Sequence, residues 1–137
     1  MVSPPATAIK FAKFIRSQGR DMSQYKIYSM TFAKIYTLYV NKIEKKKRTV
    51  PELHQVLSWL TGYDNLQIKQ QLLSGVSIKS FFQTAPSLNK NRRLIKGTIC
   101  GVRVEDIEEP LMQEIRYLDK LVDELAKGKE MTSILRS

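Results

Sequence analysis

From Thr31 onward the apolar positions recur with the period of an α-helix. Phe32, Ile35, Tyr36, Tyr39, Val40 and Ile43 follow i, i+3, i+4, i+7 spacing and predict a helix with one buried face. Ser29 or Thr31 is placed to cap its start. Lys42, Lys45, Lys46, Lys47 and Arg48 stand at its end, where the negative pole of the helix dipole favours cations. Thr49, Pro51 and Glu52 give a capping-box spacing with proline in the first turn. Leu53, Val56, Leu57 and Leu60 form the buried face of that second helix, which Gly62 stops. Asp64 and Gln67 repeat the cap spacing for a third helix, with Leu66, Leu72 and Leu73 as its apolar positions and Gly75 as its end. Ser77 caps a short fourth helix that turns Ile78, Phe81, Phe82 and Ala85 inward before Pro86.

Residues 87–107 break the pattern. Asn89, Lys90, Asn91, Arg92 and Arg93 read as an exposed polar loop. Residues 95–104 are rich in β-branched residues and glycine, which allows one short extended segment or a hairpin turning near Gly97 or Gly101. Pro110 then opens the best-defined helix, behind the dipole-favoured anions Glu105, Asp106, Glu108 and Glu109. Leu111, Ile115, Leu118, Val122 and Leu125 make a heptad-like seam, widened by Met112 and Leu121. The seam is expected to be core, or else to line a homodimer interface. Lys120–Glu124 and Asp123–Lys127 are i, i+4 pairs on the same helix. Gly128 ends it, and Met131, Ile134 and Leu135 make a final short turn.

The fold expected is mainly α: a single compact domain of five or six helices over residues 22–137. Residues 1–21 are expected to be an N-terminal extension, either loosely ordered or not part of the native domain, in which case Met22 is the true start. Within it, residues 9–16 have the pattern of a basic amphipathic helix, which suits loose docking on the domain or an anionic membrane surface.

Two stretches carry a resemblance. One runs from Lys26-Ile27-Tyr28 through Trp59-Leu60-Thr61-Gly62-Tyr63. The other runs from Cys100-Gly101-Val102-Arg103 through Glu109-Pro110-Leu111-Met112 into Tyr117-Leu118-Asp119-Lys120. Together they resemble the bacterial domain-of-unknown-function family numbered twenty-two hundred, over about residues 25–136. The resemblance implies a bacterial, cytoplasmic protein that begins near Met22. It carries over no activity, ligand or catalytic residue.

Composition narrows the chemistry. The 137 residues include 23 Lys+Arg against 13 Asp+Glu, a formal net charge of +10. The excess is lopsided: 11 basic against 2 acidic side chains in residues 1–50, 6 against 2 in residues 51–100, and 6 against 9 in residues 101–137. One Cys and one His exclude an internal disulfide and a four-ligand Cys/His zinc site. No apolar run is long enough to span a membrane, and no secretory leader is visible.

Three function classes follow. Lys42, Lys45, Lys46, Lys47 and Arg48, with Lys90, Arg92, Arg93 and Lys96, are the candidate cations for nucleic acid or another polyanion. The helices flanking Gly62 resemble a helix-turn-helix, with Asn65, Gln67, Lys69, Gln70 and Gln71 as readers, although Lys69 is its single cation. An enzyme would use Cys100, Arg103, Glu105 and Asp106, with an arginine lowering the thiol pKa and two carboxylates dividing acid and base roles. No phosphate loop, nucleophile elbow or metal-ligand spacing supports it, so no cofactor or metal is expected. Half-exposed tyrosines would instead suit an interaction module. A non-catalytic binding module is the leading expectation, and the small enzyme is the alternative.

Overall fold

The computed structural model describes residues 22–136; the expected 9–16 helix lies outside them. Seven α-helices follow in chain order: α1 (Met22–Ser29), α2 (Phe32–Glu44), α3 (Val50–Thr61), α4 (Asn65–Ser74), α5 (Ile78–Gln83), α6 (Pro110–Ala126) and α7 (Met131–Ile134). Between α5 and α6 lie a 3-10 turn (Lys90–Leu94), a hairpin of β1 (Thr98–Ile99) and β2 (Val102–Arg103), and a second 3-10 turn (Val104–Asp106). The architecture is mainly α with one two-stranded sheet, as the periodicity predicts.

Local chemistry sets most boundaries. The side chains of Thr31, Thr49, Asp64 and Ser77 each accept an amide of the first turn they precede, and the Thr49–Glu52 and Asp64–Gln67 boxes are reciprocal. Two caps are also bonded into one unit. Phe32 N–H donates to Val76 O at 2.8 Å and Ile78 N–H to Met30 O at 2.7 Å, so α2 and α5 start side by side. Phe32 and Phe81, both fully buried, then stack at 3.9 Å between centroids. Gly62 closes α3 at φ 82°, and a Cβ there would meet Ser87 N at 2.9 Å.

The central element is α6. Tyr28, Tyr39 and Lys42 meet Glu109, Asp119 and Asp123 in turn, so α2 runs parallel to α6 at a near-constant offset along the sequence. Arg48, at the start of α3, reaches Leu125 near the end of α6. The segment hydrogen-bonded to the end of α3 reaches Glu114 near the start of α6, so α3 runs antiparallel. The expected seam is covered within the chain: Ile115, Leu118, Leu121, Val122 and Leu125 are at most 2% exposed. It is core, so it offers no apolar face to a second copy.

Several expectations are corrected. Helix α1 has too few apolar positions to read as periodic, yet it stands against α5, and its Ile27 and Tyr28 with the following Met30 pack on the core. On α4, Leu66 and Leu73 are 65% and 88% exposed while Ile68 is buried. Both stripes of α4 are apolar, and contact with α2 selects the one carrying Ile68. The expected loop at 89–93 is a 3-10 turn, because Asn89 Oδ1 accepts Asn91 N–H at 2.8 Å and Arg92 is drawn inward. Glu109 alone caps α6, since Glu105 and Asp106 belong to the preceding turn. Lys120 donates to Thr98 O at 3.1 Å instead of pairing with Glu124.

Glu124 is 2% exposed and held by Arg136, both guanidinium bonds being 2.7 Å. Lys129 Nζ stands farther off, at 3.7 Å, so removing Arg136 strips the buried carboxylate of its hydrogen-bonded partner, whereas removing both Glu124 and Arg136 leaves an apolar site. Arg136→Met is therefore expected to lower unfolding free energy by about 3 kcal/mol, and Glu124→Leu/Arg136→Met to recover most of it. Urea unfolding of the two variants checks this; a double variant no better than the single one contradicts it.

Candidate polyanion-binding surface

Helices α2 and α6 end side by side with the same hydrogen-bond pattern. At the end of α6, Lys129 N–H donates to Glu124 O and Gly128 N–H to Leu125 O, both at 3.1 Å, around Gly128 at φ 90°. At the end of α2, Arg48 N–H donates to Ile43 O and Lys47 N–H to Glu44 O, both at 3.0 Å, around Lys47 at φ 64°. Each is a Schellman ending, which normally takes glycine at the left-handed position. In α2 that position holds lysine.

Arg48 joins the two ends. Its Nη1 donates to Leu125 O at 3.1 Å and Lys129 O at 2.8 Å, placing a cation on the negative pole of α6. Its Nε and Nη2 donate to Glu52 at 3.0 to 3.2 Å. Those bonds, with Thr49 N–H, hold the Glu52 carboxyl down at about 2 against an ordinary 4.5. Lys42 and Lys127 both pair with Asp123, at 3.4 and 3.0 Å. Burial raises the Asp123 pKa, but the Lys127 hydrogen bond and the Lys42 charge outweigh it and keep it low.

The result is a lysine-rich end of the molecule. Lys45, Lys46 and Lys47 are exposed and have no ion pair among the described residues. Lys127 and Lys129 share this end. The sequence reading missed them because they lie in the acidic third of the chain, and contact between the α2 and α6 ends brings them in.

The second basic group is elsewhere. Arg92 is half-buried, donating to Glu114 at 2.8 and 3.0 Å and to Asn89 O at 2.9 Å. Arg93 donates to Gln113 Oε1 at 3.0 Å, while Lys90 and Lys96 are exposed. Glu114 and Leu125, which mark the two groups on α6, are separated by about 16 Å of helix rise. The candidate cations therefore form two clusters at opposite ends of α3, not one patch. Arg48 and Arg92 are both turned toward the protein's own acceptors.

The proposed enzyme residues gather at the hairpin. Cys100, at φ 53°, and Gly101, at φ 77°, form its two-residue turn, and the Cys100 thiol is exposed with Arg116 Nη1 at 3.9 Å. Arg103 pairs with Glu105 at 3.1 Å and Asp106 at 3.9 Å; Arg103 and Asp106 are two-thirds exposed. Glu105 accepts Gly97 N–H at 3.0 Å, and this bond with the Arg103 contact lowers its pKa. These bonds hold the hairpin to the following turn. Arg116 also donates to Asp119 at 2.6 Å, and Asp119 accepts the buried Tyr39 hydroxyl. Burial and then the Asp119 charge push that hydroxyl well above the usual tyrosine range.

His54 is buried between α2 and α4. Its Nδ1 lies 3.3 Å from Asn65 Oδ1 and its Nε2 2.7 Å from the Tyr36 hydroxyl oxygen. Among the described residues, no three His, Cys, Asp or Glu side chains are grouped to hold a metal ion. No helix there is long and apolar enough to cross a membrane. Of the helix-turn-helix readers, Gln67 is engaged in capping α4, and Asn65 in the His54 contact.

The family described as "Uncharacterized protein conserved in bacteria (DUF2200)" matches residues 26–136. The chain belongs to this family. Its fold is also similar to the crystal structure of uncharacterized protein SP1917, with 48% sequence identity, a TM-score of 0.77, and coverage of 80% of this chain and 90% of that one. No curated protein matches. The matched span begins within α1 and includes both lysine-bearing helix ends.

Two outcomes follow from this geometry. A carboxyl depressed by folding contributes stability that is complete above 4.5 and lost as pH falls through about 2. Wild-type stability should fall across that interval by a component that Glu52→Gln lacks, so their urea midpoints converge; a constant gap contradicts the Arg48 assignment. Lys47→Gly should raise stability by about 0.5–1 kcal/mol by removing a left-handed side-chain penalty, read as a higher urea midpoint.

Proposed function

We propose that this chain is a non-catalytic binding module whose lysine-rich end takes a polyanion, with nucleic acid backbone as the leading class. The observation that carries this reading is the Arg48 bridge. It sets Lys45, Lys46 and Lys47 beside Lys127 and Lys129, although about 80 residues separate the two turns. The three lysines that follow α2 have no carboxylate partner among the described residues, Asp123 is neutralised by Lys42 and Lys127, and Lys129 stands 3.7 Å from Glu124. Exposed ammoniums suit phosphates, which are bound by charge and counterion release without base reading.

Base reading by α4 finds little support. Its exposed face carries Leu66 and Leu73 around Lys69, so sequence-independent contact is the form proposed. A bacterial cytoplasmic location fits such a partner.

Fluorescence anisotropy with a short labelled duplex across a salt series tests the proposal. Affinity is expected to fall steeply with salt, and Lys45→Gln/Lys46→Gln/Lys47→Gln to reduce the log–log slope by about 2–3. Lys90→Gln/Lys96→Gln, at the other end of α3, should leave that slope unchanged. Absence of binding at about 20 mM salt sinks the proposal, as does an unchanged slope in the triple variant.

A further inference from the structure

A concavity of about 550 Å³ lies at the end of α3 away from the lysine-rich surface. Trp59 and Ser58 of α3 bound one side; Ser87, Leu88 and Lys90 bound the other. The walls are fixed by backbone bonds. Ser87 N–H donates to Thr61 O and Asn89 N–H to Leu60 O, both at 3.0 Å, so residues 87–89 lie along the last turn of α3. Gly62 permits that approach, since any Cβ would strike Ser87. Trp59 and Leu88 are half-buried and packed on the core, giving the concavity a rigid apolar wall. Lys90 opens the 3-10 turn, exposed and without an ion pair among the described residues. Asn89 holds that turn by accepting Asn91 N–H, so Lys90 is anchored at the rim.

An aromatic wall, an aliphatic neighbour, serine hydroxyls and one unpaired cation fit a flat ring joined to an anion. The volume lies within the range of small-molecule sites. We propose that this concavity binds a nucleoside monophosphate unit, the base against Trp59 and the phosphate on Lys90. The unit is supplied as a free nucleotide or as the 5′ end of a single strand. This site stands apart from the lysine-rich end and does not depend on polyanion binding there.

The chain has one tryptophan, so intrinsic fluorescence of the full chain reports on this wall directly. Titration with adenosine 5′-monophosphate at near-physiological salt should quench it saturably. Adenosine and ribose 5-phosphate should each bind about 10-fold more weakly, having lost one of the two contacts. Lys90→Gln, a surface change that leaves folding intact, should weaken the monophosphate about 5-fold and leave adenosine unchanged. Lys45→Gln/Lys46→Gln/Lys47→Gln should leave the titration as it is. A 5′-phosphorylated tetranucleotide binding about 10-fold more tightly than the monophosphate identifies a strand end, and equal affinity identifies the free nucleotide; both support the site. No quenching up to about 10 mM monophosphate overturns it. So does unchanged affinity in Lys90→Gln, or loss of the signal in the triple-lysine variant.

Discussion

Helix α6 carries four carboxylates into its contacts with the rest of a small fold, Glu124 buried and the other three half-buried, and neutralising them organises much of what surrounds it. Glu114, Asp119, Asp123 and Glu124 project from a helix packed against α2, α3, α5, α7 and the hairpin. Glu124 cannot be left buried and unpaired without a penalty of several kcal/mol, the half-buried three are costly to desolvate alone, and each is met by a cation. Arg92 comes from the 3-10 turn, Arg116 from α6 itself, Lys42 from α2, and Arg136 from the residues after α7. Arg48 completes the set by covering the carbonyl end of α6. The connecting segments are thereby pinned to one helix, at its two ends and along its sides.

That constraint changes what the net charge of +10 means. The arginines most suited to bidentate binding are largely turned inward: Arg92 and Arg136 grip carboxylates, and Arg48 grips Glu52 and two carbonyls. The cations left outside are chiefly lysines, which bind as point charges and carry little geometric information. A surface of that kind suits a repeated anion such as a phosphate backbone better than one shaped carboxylate. The prevalence of engaged arginines and exposed lysines, Arg93 and Arg103 apart, supports the proposed reading of the lysine-rich end as a contact surface of low sequence selectivity.

What the sequence disclosed and what it withheld divide by range. Helix starts at Thr31, Thr49, Asp64 and Ser77 were legible because a cap acts within three residues. That residues 95–104 allow a hairpin was legible because β-branched residues flank two glycines, but the choice between a turn at Gly97 and one at Gly101 was not, and the structure turns at Cys100–Gly101. The sense of α4 was not, since Leu66/Leu73 and Ile68/Leu72 are equally apolar stripes and only contact with α2 separates them. Nor could composition distinguish Arg48 from Lys45, Lys46 and Lys47 beside it. Their difference lies in acceptors 77 and 81 residues away. Lys127 and Lys129 were hidden by the acidic count of their own segment, and the Trp59 concavity by the length of chain between its walls.

The paired endings of α2 and α6 give an internal control on Lys47. Both chain reversals need a left-handed residue at the same hydrogen-bonded position; α6 fills it with Gly128 and α2 with Lys47. A side chain in that conformation costs about 1 kcal/mol relative to glycine. The two turns meet through Arg48, so neighbouring crowding is an inadequate reason for their different residues. Nothing in the hydrogen bonding around Lys47 requires a side chain, because both Schellman bonds are made by the backbone. The lysine is also exposed and without an ion pair among the described residues, so the fold gains no compensating contact from it. What remains is charge at the exposed end of the molecule, next to Lys45 and Lys46. A side chain held in the left-handed region without a structural return adds charge to the surface proposed to take a polyanion, and that is the one role the proposal gives it.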